Sequence, residues 1–228
     1  RFGYAVALAG KWVLAGAYDD SSAFLFELRA TATDGDGRSV GFRSTPDVAL
    51  DQHSSDGGFG VDVAMAKHFA IVGAYSGKSA SIFKRESDGS WSKTAVADLN
   101  KNKGDSYFGH GVAITDRWAL VGASGARKAF LFRNNGGSWG TSAAFTFSSG
   151  NTNDDFGRDV ALTNDWALVA APGAKKAFLF KSNSGGTTWD TTAAFTLEGA
   201  GRGVTLTNNW AAAISAEETK NVLVFKNS

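Results

Sequence analysis

The sequence predicts an all-β protein: a five-bladed β-propeller built from one repeated unit, with the fifth blade lacking its outer strand. Two observations lead there. First, an aromatic residue opens four copies of one pattern, at Phe2, Phe59, Phe108 and Phe156, and Ala200 opens a worn fifth. Ten residues on, every copy has a second landmark: Trp12, Phe69, Trp118, Trp166 and Trp210. A further 14 residues reach Phe26, Phe83, Phe132 and Phe180, and 15 reach Phe225. Second, each unit divides into four short strand-like segments with recurring Trp and Gly, the pattern of propeller blades. A β-sandwich would alternate strands without this internal register, and a Gly-stacked β-helix would need shorter repeats. The units tile the chain as one domain, 1–228, with blades at approximately 1–51, 52–100, 101–148, 149–198 and 199–228.

The segments follow in order within a copy. The first is short and small-sided, as in Val160-Ala-Leu162, which suits the crowded position nearest a propeller axis. A tight polar turn such as Thr163-Asn-Asp165 leads to a continuous apolar run, Trp118-Ala-Leu-Val-Gly122 in the third copy. Short unbroken apolar runs bounded by turns fit strands buried on both faces. The third segment is aromatic and β-prone, Ala177-Phe-Leu-Phe180 for example. Turn-rich loops then supply the Gly and Asn that hairpins need, as in Asn183-Ser-Gly-Gly186. The fourth segment carries Trp91, Trp139 or Trp189, followed eight residues later by Leu99, Phe147 or Leu197. The fifth copy stops after Phe225 and has no such segment.

Composition narrows the function classes. The 228 residues are 43% hydrophobic, enough for a large core. A net charge of +1 gives no whole-molecule field toward nucleic acid or an anionic membrane. Cysteine is absent, which removes disulfides and thiolate sites. No apolar run approaches the roughly 18 residues of a spanning helix, so neither membrane insertion nor a nucleic-acid partner is expected.

The copies resemble the FG-GAP repeat, the blade unit of the integrin α-subunit propeller and of many bacterial and protist surface proteins. Phe-Gly stands at 2–3, 59–60, 108–109 and 156–157. The Gly-Ala-Pro element reads Gly16-Ala-Tyr18, Gly73-Ala-Tyr75, Gly122-Ala-Ser124 and Ala170-Ala-Pro172. The resemblance implies an extracellular or cell-surface recognition module. Integrin-type repeats also carry an Asp-rich calcium loop between the first two strands. Here that connection is only Ala9-Gly-Lys11 or Thr115-Asp-Arg117. Calcium takes six to eight oxygens, so the family's metal sites do not carry over, and no cofactor is expected.

Candidate ligand-binding residues fall on the loops of one propeller face: Asp19, Asp20, Asp56, Asp105, Asp154, Asp155, Lys128 and Lys176. They read either as a polar rim for a protein or glycan, or as acids that cap turns and pair with neighbouring bases, each exposed pair adding about 0–1 kcal/mol. The Trp and Phe landmarks read as blade-to-blade packing before carbohydrate stacking; Trp91, Trp139 and Trp189, beside hairpin turns, are the ones placed to stack on a ligand if any do. Asp34 and Asp36 form the nearest approach to a calcium motif but lack the later acidic ligand. Tyr4, Val61, His110 and Arg158 share the slot after Phe-Gly near the tunnel mouth, and their divergence argues against a shared contact. Nucleophilic catalysis needs a base beside its nucleophile. With three histidines and no recognisable catalytic motif, an enzyme is not expected. The two competing functions are a recognition module and a structural disc docked in a larger assembly. In either case residues 221–225 form an exposed edge that calls for a strand-pairing partner or further chain.

Overall fold

The structure is a computed structural model, and it describes residues 2–28, 45–51, 57–99, 106–183, 185–216 and 221–226. Five antiparallel sheets follow one another along the chain. Blade 1 comprises β1 (Phe2–Ala9), β2 (Trp12–Ala17), β3 (Ser22–Glu27) and β4 (Val48–Leu50). Blade 2 comprises β5 (Phe59–Met65), β6 (Phe69–Ala74), β7 (Ser79–Lys84) and β8 (Ala97–Leu99). Blade 3 holds β9 (Phe108–Ile114), β10 (Trp118–Ala123), β11 (Lys128–Asn135), β12 (Ser138–Trp139) and β13 (Phe145–Phe147). Blade 4 holds β14 (Val160–Leu162), β15 (Trp166–Ala171), β16 (Lys176–Asn183), β17 (Thr188–Trp189) and β18 (Phe195–Glu198). Blade 5 is three-stranded among the described residues: β19 (Ala200–Leu206), β20 (Trp210–Ser215) and β21 (Val222–Lys226).

The expected landmarks occupy equivalent places, with one extension. In blades 1, 2 and 3 the innermost strand begins at the Phe-Gly pair, and an irregularity in register separates that pair from the small-sided stretch. The reason for the two glycine signatures is visible between blades. Gly60, Gly109 and Gly157 take φ of 87°, 87° and 89°, which favours glycine. Their carbonyls press on the Gly of the preceding blade's Gly-Ala pair. A Cβ on Gly16, Gly73 or Gly122 would come within 2.1, 2.2 or 2.0 Å of the facing oxygen. The two halves of the motif therefore meet across each of the first three seams.

Those seams are filled alike. Trp118, Leu120, Phe147, Phe156, Phe180 and Trp189 lie in one buried cluster joining blades 3 and 4, and the equivalent residues join blades 1 and 2 and blades 2 and 3. The hairpin tryptophan of each later blade closes the seam edge-on against the earlier blade's landmark. Trp91 meets Trp12, Trp139 meets Phe69, and Trp189 meets Trp118, at interplanar angles of 78°, 87° and 85°. Such edge-to-face pairs add about 0.5–1.5 kcal/mol beyond their area.

The innermost strands β1, β5, β9, β14 and β19 pack in succession around an axial cavity of about 420 Å³. Among the described residues no comparable packing joins blade 5 back to blade 1. Phe2, Val6 and Leu8 of blade 1, with Val222 and Val224 of blade 5, are all at least 60% exposed. The same opening Phe is essentially buried at positions 59, 108 and 156.

Candidate functional site

Residues that differ from copy to copy converge at one end of the axis. The slot after Phe-Gly places Tyr4, Val61, His110 and Arg158 around the mouth, with Arg202 holding the same slot in blade 5. The turn after the second strand adds Tyr18, which opens a 3-10 turn over Tyr18–Asp20, and Tyr75. Tyr107, held at φ of 60° immediately before β9, completes the wall. These side chains line a cavity of about 260 Å³ that contains all four tyrosines of the chain.

The rings form a connected platform. Tyr18 and Tyr75 stack at 5.8 Å and 16°, and their hydroxyls are 2.7 Å apart. Tyr4 packs on Tyr18, while Tyr75 also touches Tyr107 and His110 at 5.7 and 5.4 Å. The hydrogen bond to Tyr75, then burial, raises the Tyr18 phenol above its ordinary value, so it stays protonated. His110 Nδ1 lies 2.8 Å from the Arg158 carbonyl. A carbonyl only accepts, so Nδ1 donates and, in the neutral ring, Nε2 keeps a lone pair. Burial lowers the His110 pKa, and the charges of Arg158 and Arg202 push the same way, leaving a neutral ring.

The mouth is thus two-sided. Blades 1 to 3 supply aromatic rings, and blades 4 and 5 supply guanidinium groups. A flat or ring-shaped group can lie on the tyrosines while an acidic group meets Arg158, whose fork suits a carboxylate or sulfate. A quaternary ammonium ligand is disfavoured, because the arginines oppose it and the tyrosine pair is stacked rather than opened into a cage.

The sequence-predicted residues fare unevenly. Asp19 and Asp20 are exposed on the turn outside Tyr18, and Asp155 is exposed close enough to act on the His110 charge. Lys128 is exposed, and Lys176 pairs with Glu198 at 3.1 Å. Asp154 is corrected: it is buried, accepting from the Ser149 hydroxyl and the Phe156 amide, so it braces the loop. Trp91, Trp139 and Trp189 are corrected as well. At 5–6% exposure they are seam residues with no face left for a ligand. Asp34, Asp36, Asp56 and Asp105 lie outside the described residues.

A second group was not foreseen. Asp62 and Asp159, third after the opening Phe, face the axial cavity. Each caps its own strand, through Val63 or Val160, and reaches the next blade at the Val112 or Val204 amide, at 2.7 and 2.8 Å. Burial, followed by the Asp159 charge, raises Asp62 to about 8, and burial raises Asp159 to about 6. Calcium does not fit the strand-one turns, and the described residues bring no three His, Asp or Glu together as a metal cluster.

The FG-GAP repeat family matches residues 139–187, from the hairpin of blade 3 to the hairpin of blade 4. The fold is a β-propeller, and one of its repeat units, running from blade 3 into blade 4, matches the FG-GAP repeat. No curated protein sequence matches the chain. Its fold is similar to the WD40 β-propeller domain of Doa1, at 16% identity and a TM-score of 0.61, over 97% of this chain and 67% of that one. It is also similar to a protein of Bacteroides fragilis provisionally assigned as a 6-phosphogluconolactonase (13%, TM-score 0.67, 98% and 67%) and to virginiamycin B lyase of Staphylococcus aureus (10%, TM-score 0.53, 98% and 69%). At such identities the likeness carries the fold alone. This chain spans about two thirds of the length of each.

Proposed function

We propose that this FG-GAP propeller is a non-enzymatic recognition module, and that its ligand is a protein or glycan element docking on the tyrosine–arginine mouth. The observation that carries this is the gathering of all four tyrosines beside His110 and Arg158 at the end of the axis. Rings with few rotatable bonds give contact area at low entropic cost, and one basic group fixes orientation. A ring with an acidic substituent, such as a carboxylated or sulfated sugar or an acidic peptide side chain, matches both halves. Asp19, Asp20, Asp155 and Lys128 then form the outer rim on the same face. His110 has no Ser, Thr or Cys beside it among the described lining residues, and we read the mouth as a binding surface. A surface or secreted setting belongs to this reading.

The test is a glycan array carrying neutral, carboxylated and sulfated saccharides, backed by calorimetry on hits. Tyr75→Ala and Arg158→Gln should each weaken binding by about tenfold or more, as truncation of a central aromatic or arginine does. Hits that bind both variants as tightly as the parent, with melting temperatures unchanged, would remove the mouth from the proposal. The exposed apolar faces at Phe2, Leu8, Val222 and Val224 favour a second reading, a propeller seated within a larger assembly.

A further inference from the structure

The seam between blades 4 and 5 is built like the other three and lacks one part. Trp166, Leu168, Leu179, Leu197, Ala211 and Phe225 repeat the places held in the first seam by Trp12, Leu14, Leu25, Leu50, Ala70 and Phe83. What closes the first seam is Trp91, from the hairpin after the third strand of the later blade. Blade 5 has no hairpin after β21 among its described residues. Where that indole would sit lies an apolar cavity of about 260 Å³, walled by Trp166, Leu179, Phe195, Trp210 and Phe225. Beside it runs an open strand edge. In blade 4 the Leu179 carbonyl accepts from Ala194 of the outer segment, as Leu131 does from Ala144 and Ile82 from Val96. Val224 holds that place in blade 5 and is 60% exposed.

We propose that this cavity and the β21 edge together form an acceptor site for an extended segment from outside residues 1–228. That segment carries a tryptophan and, eight residues later, leucine or phenylalanine. The three internal seams state its chemistry: Trp91 with Leu99, Trp139 with Phe147 and Trp189 with Leu197. The indole fills the cavity, the following strand pairs with Val222–Val224, and the later apolar residue covers the blade's outer end. Main-chain bonds supply affinity and the two pockets supply specificity, as in strand addition generally. The three segments of this kind in residues 1–228 are engaged in their own blades, so the donor comes from outside them.

The probe is a synthetic peptide copying residues 183–198, the segment that closes blade 4's own sheet and the seam before it. Calorimetry against the 1–228 chain should show one site. Replacing the peptide's tryptophan with alanine should weaken it by about tenfold or more. Val224→Pro, an exposed edge substitution that removes an N–H from the pairing side, should abolish binding while the melting temperature stays near the parent's. Equal binding of the alanine peptide, or unchanged binding to the Val224→Pro chain, would overturn the proposal. A concentration-dependent dimer that excludes the peptide would also overturn it, by giving the site to a second copy.

Discussion

The seam between blades 3 and 4 and the seam between blades 4 and 5 are one design in two states of completeness. In the third seam Phe156 and Trp189 are buried and Gly122 lies against the Gly157 carbonyl. In the fourth seam the same places hold Ala200, no tryptophan among the described residues, and Ala170. Apolar volume is lost at two points, and the glycine that faces the next blade is replaced by alanine. What the fourth seam keeps is polar: Asp159 still reaches across to the Val204 amide. Repeat stability is a sum of unit and neighbour terms, so the weakest of the four packed seams lies here.

The largest test of that comparison removes the landmark tryptophan on each side. Trp118 is clasped by Trp189, lies under Arg133, and donates its Nε1 hydrogen to the Gly186 carbonyl at 3.0 Å. Trp166 keeps a cation above it, Lys181, but meets Phe195 only at 6.3 Å and borders the open cavity. Trp118→Ala should cost about 3–5 kcal/mol, the range for large aromatics in packed cores. Trp166→Ala should fall at the low end, because less packing is lost. Denaturant midpoints decide it. A Trp166→Ala loss equal to or above that of Trp118→Ala would mean the fourth seam is as complete as the third.

The glycine pair sharpens the same contrast at smaller scale. A methyl on Gly122 has nowhere to go, since the Gly157 carbonyl would be 2.0 Å away. Gly122→Ala should therefore lose about 1–3 kcal/mol by forcing the blades apart. Ala170 already carries that methyl in the fourth seam. Ala170→Gly should cost only about 0.5–1 kcal/mol, the entropic and packing cost of glycine in a strand. Equal losses would show that the two seams have the same spacing after all.

Reading the sequence by columns captured what repeats and hid what does not. The aromatic and glycine landmarks recur, so the blades, their strands and Trp118 as a core residue were legible. The hairpin tryptophans recur too, yet a place beside a turn suggested exposure. Trp139 and Trp189 are paired directly across from Asn134 and Ser182 at the hairpin's base, and their rings fold onto the preceding blade. The mouth was missed for the opposite reason. Tyr4, Val61, His110 and Arg158 looked unrelated as one column, but a ring sets unlike residues of one column side by side. The available signal was a segregation by copy, with every tyrosine in copies 1 to 3 or just before them and the slot arginines in copies 4 and 5. Asp62 and Asp159 alternate with Ala5, Gly111 and Gly203 in a single slot. That pattern has meaning only once the amide of the next blade is seen.

The smallest expected effect concerns those carboxyls and the charge the seams tolerate. Both folded pKa values lie above the ordinary carboxylate value of about 3.9, because burial disfavours the ionised form. The folded state therefore holds protons that the unfolded chain has released. The associated stability is full below about pH 4 and is lost as pH rises through about 6 for Asp159 and about 8 for Asp62. His110 works in the opposite sense below its unfolded value of about 6.5, since its folded pKa is lowered. From pH 7 to 8 the His110 effect is complete and Asp62 alone of the three still titrates. The melting temperature should decline across that interval, and Asp62→Asn should flatten the decline. The variant should also melt lower throughout, because an amide cannot accept from both the Val63 and Val112 N–H groups with its NH2 end. The slope is thus the readout, not the level. Both side chains line the open axial cavity and are only half-buried, so solvent screening should keep the decline shallow. An Asp62→Asn profile parallel to the parent's between pH 7 and 8 would show that Asp62 is ionised in the fold throughout, held by its two amides rather than protonated by burial.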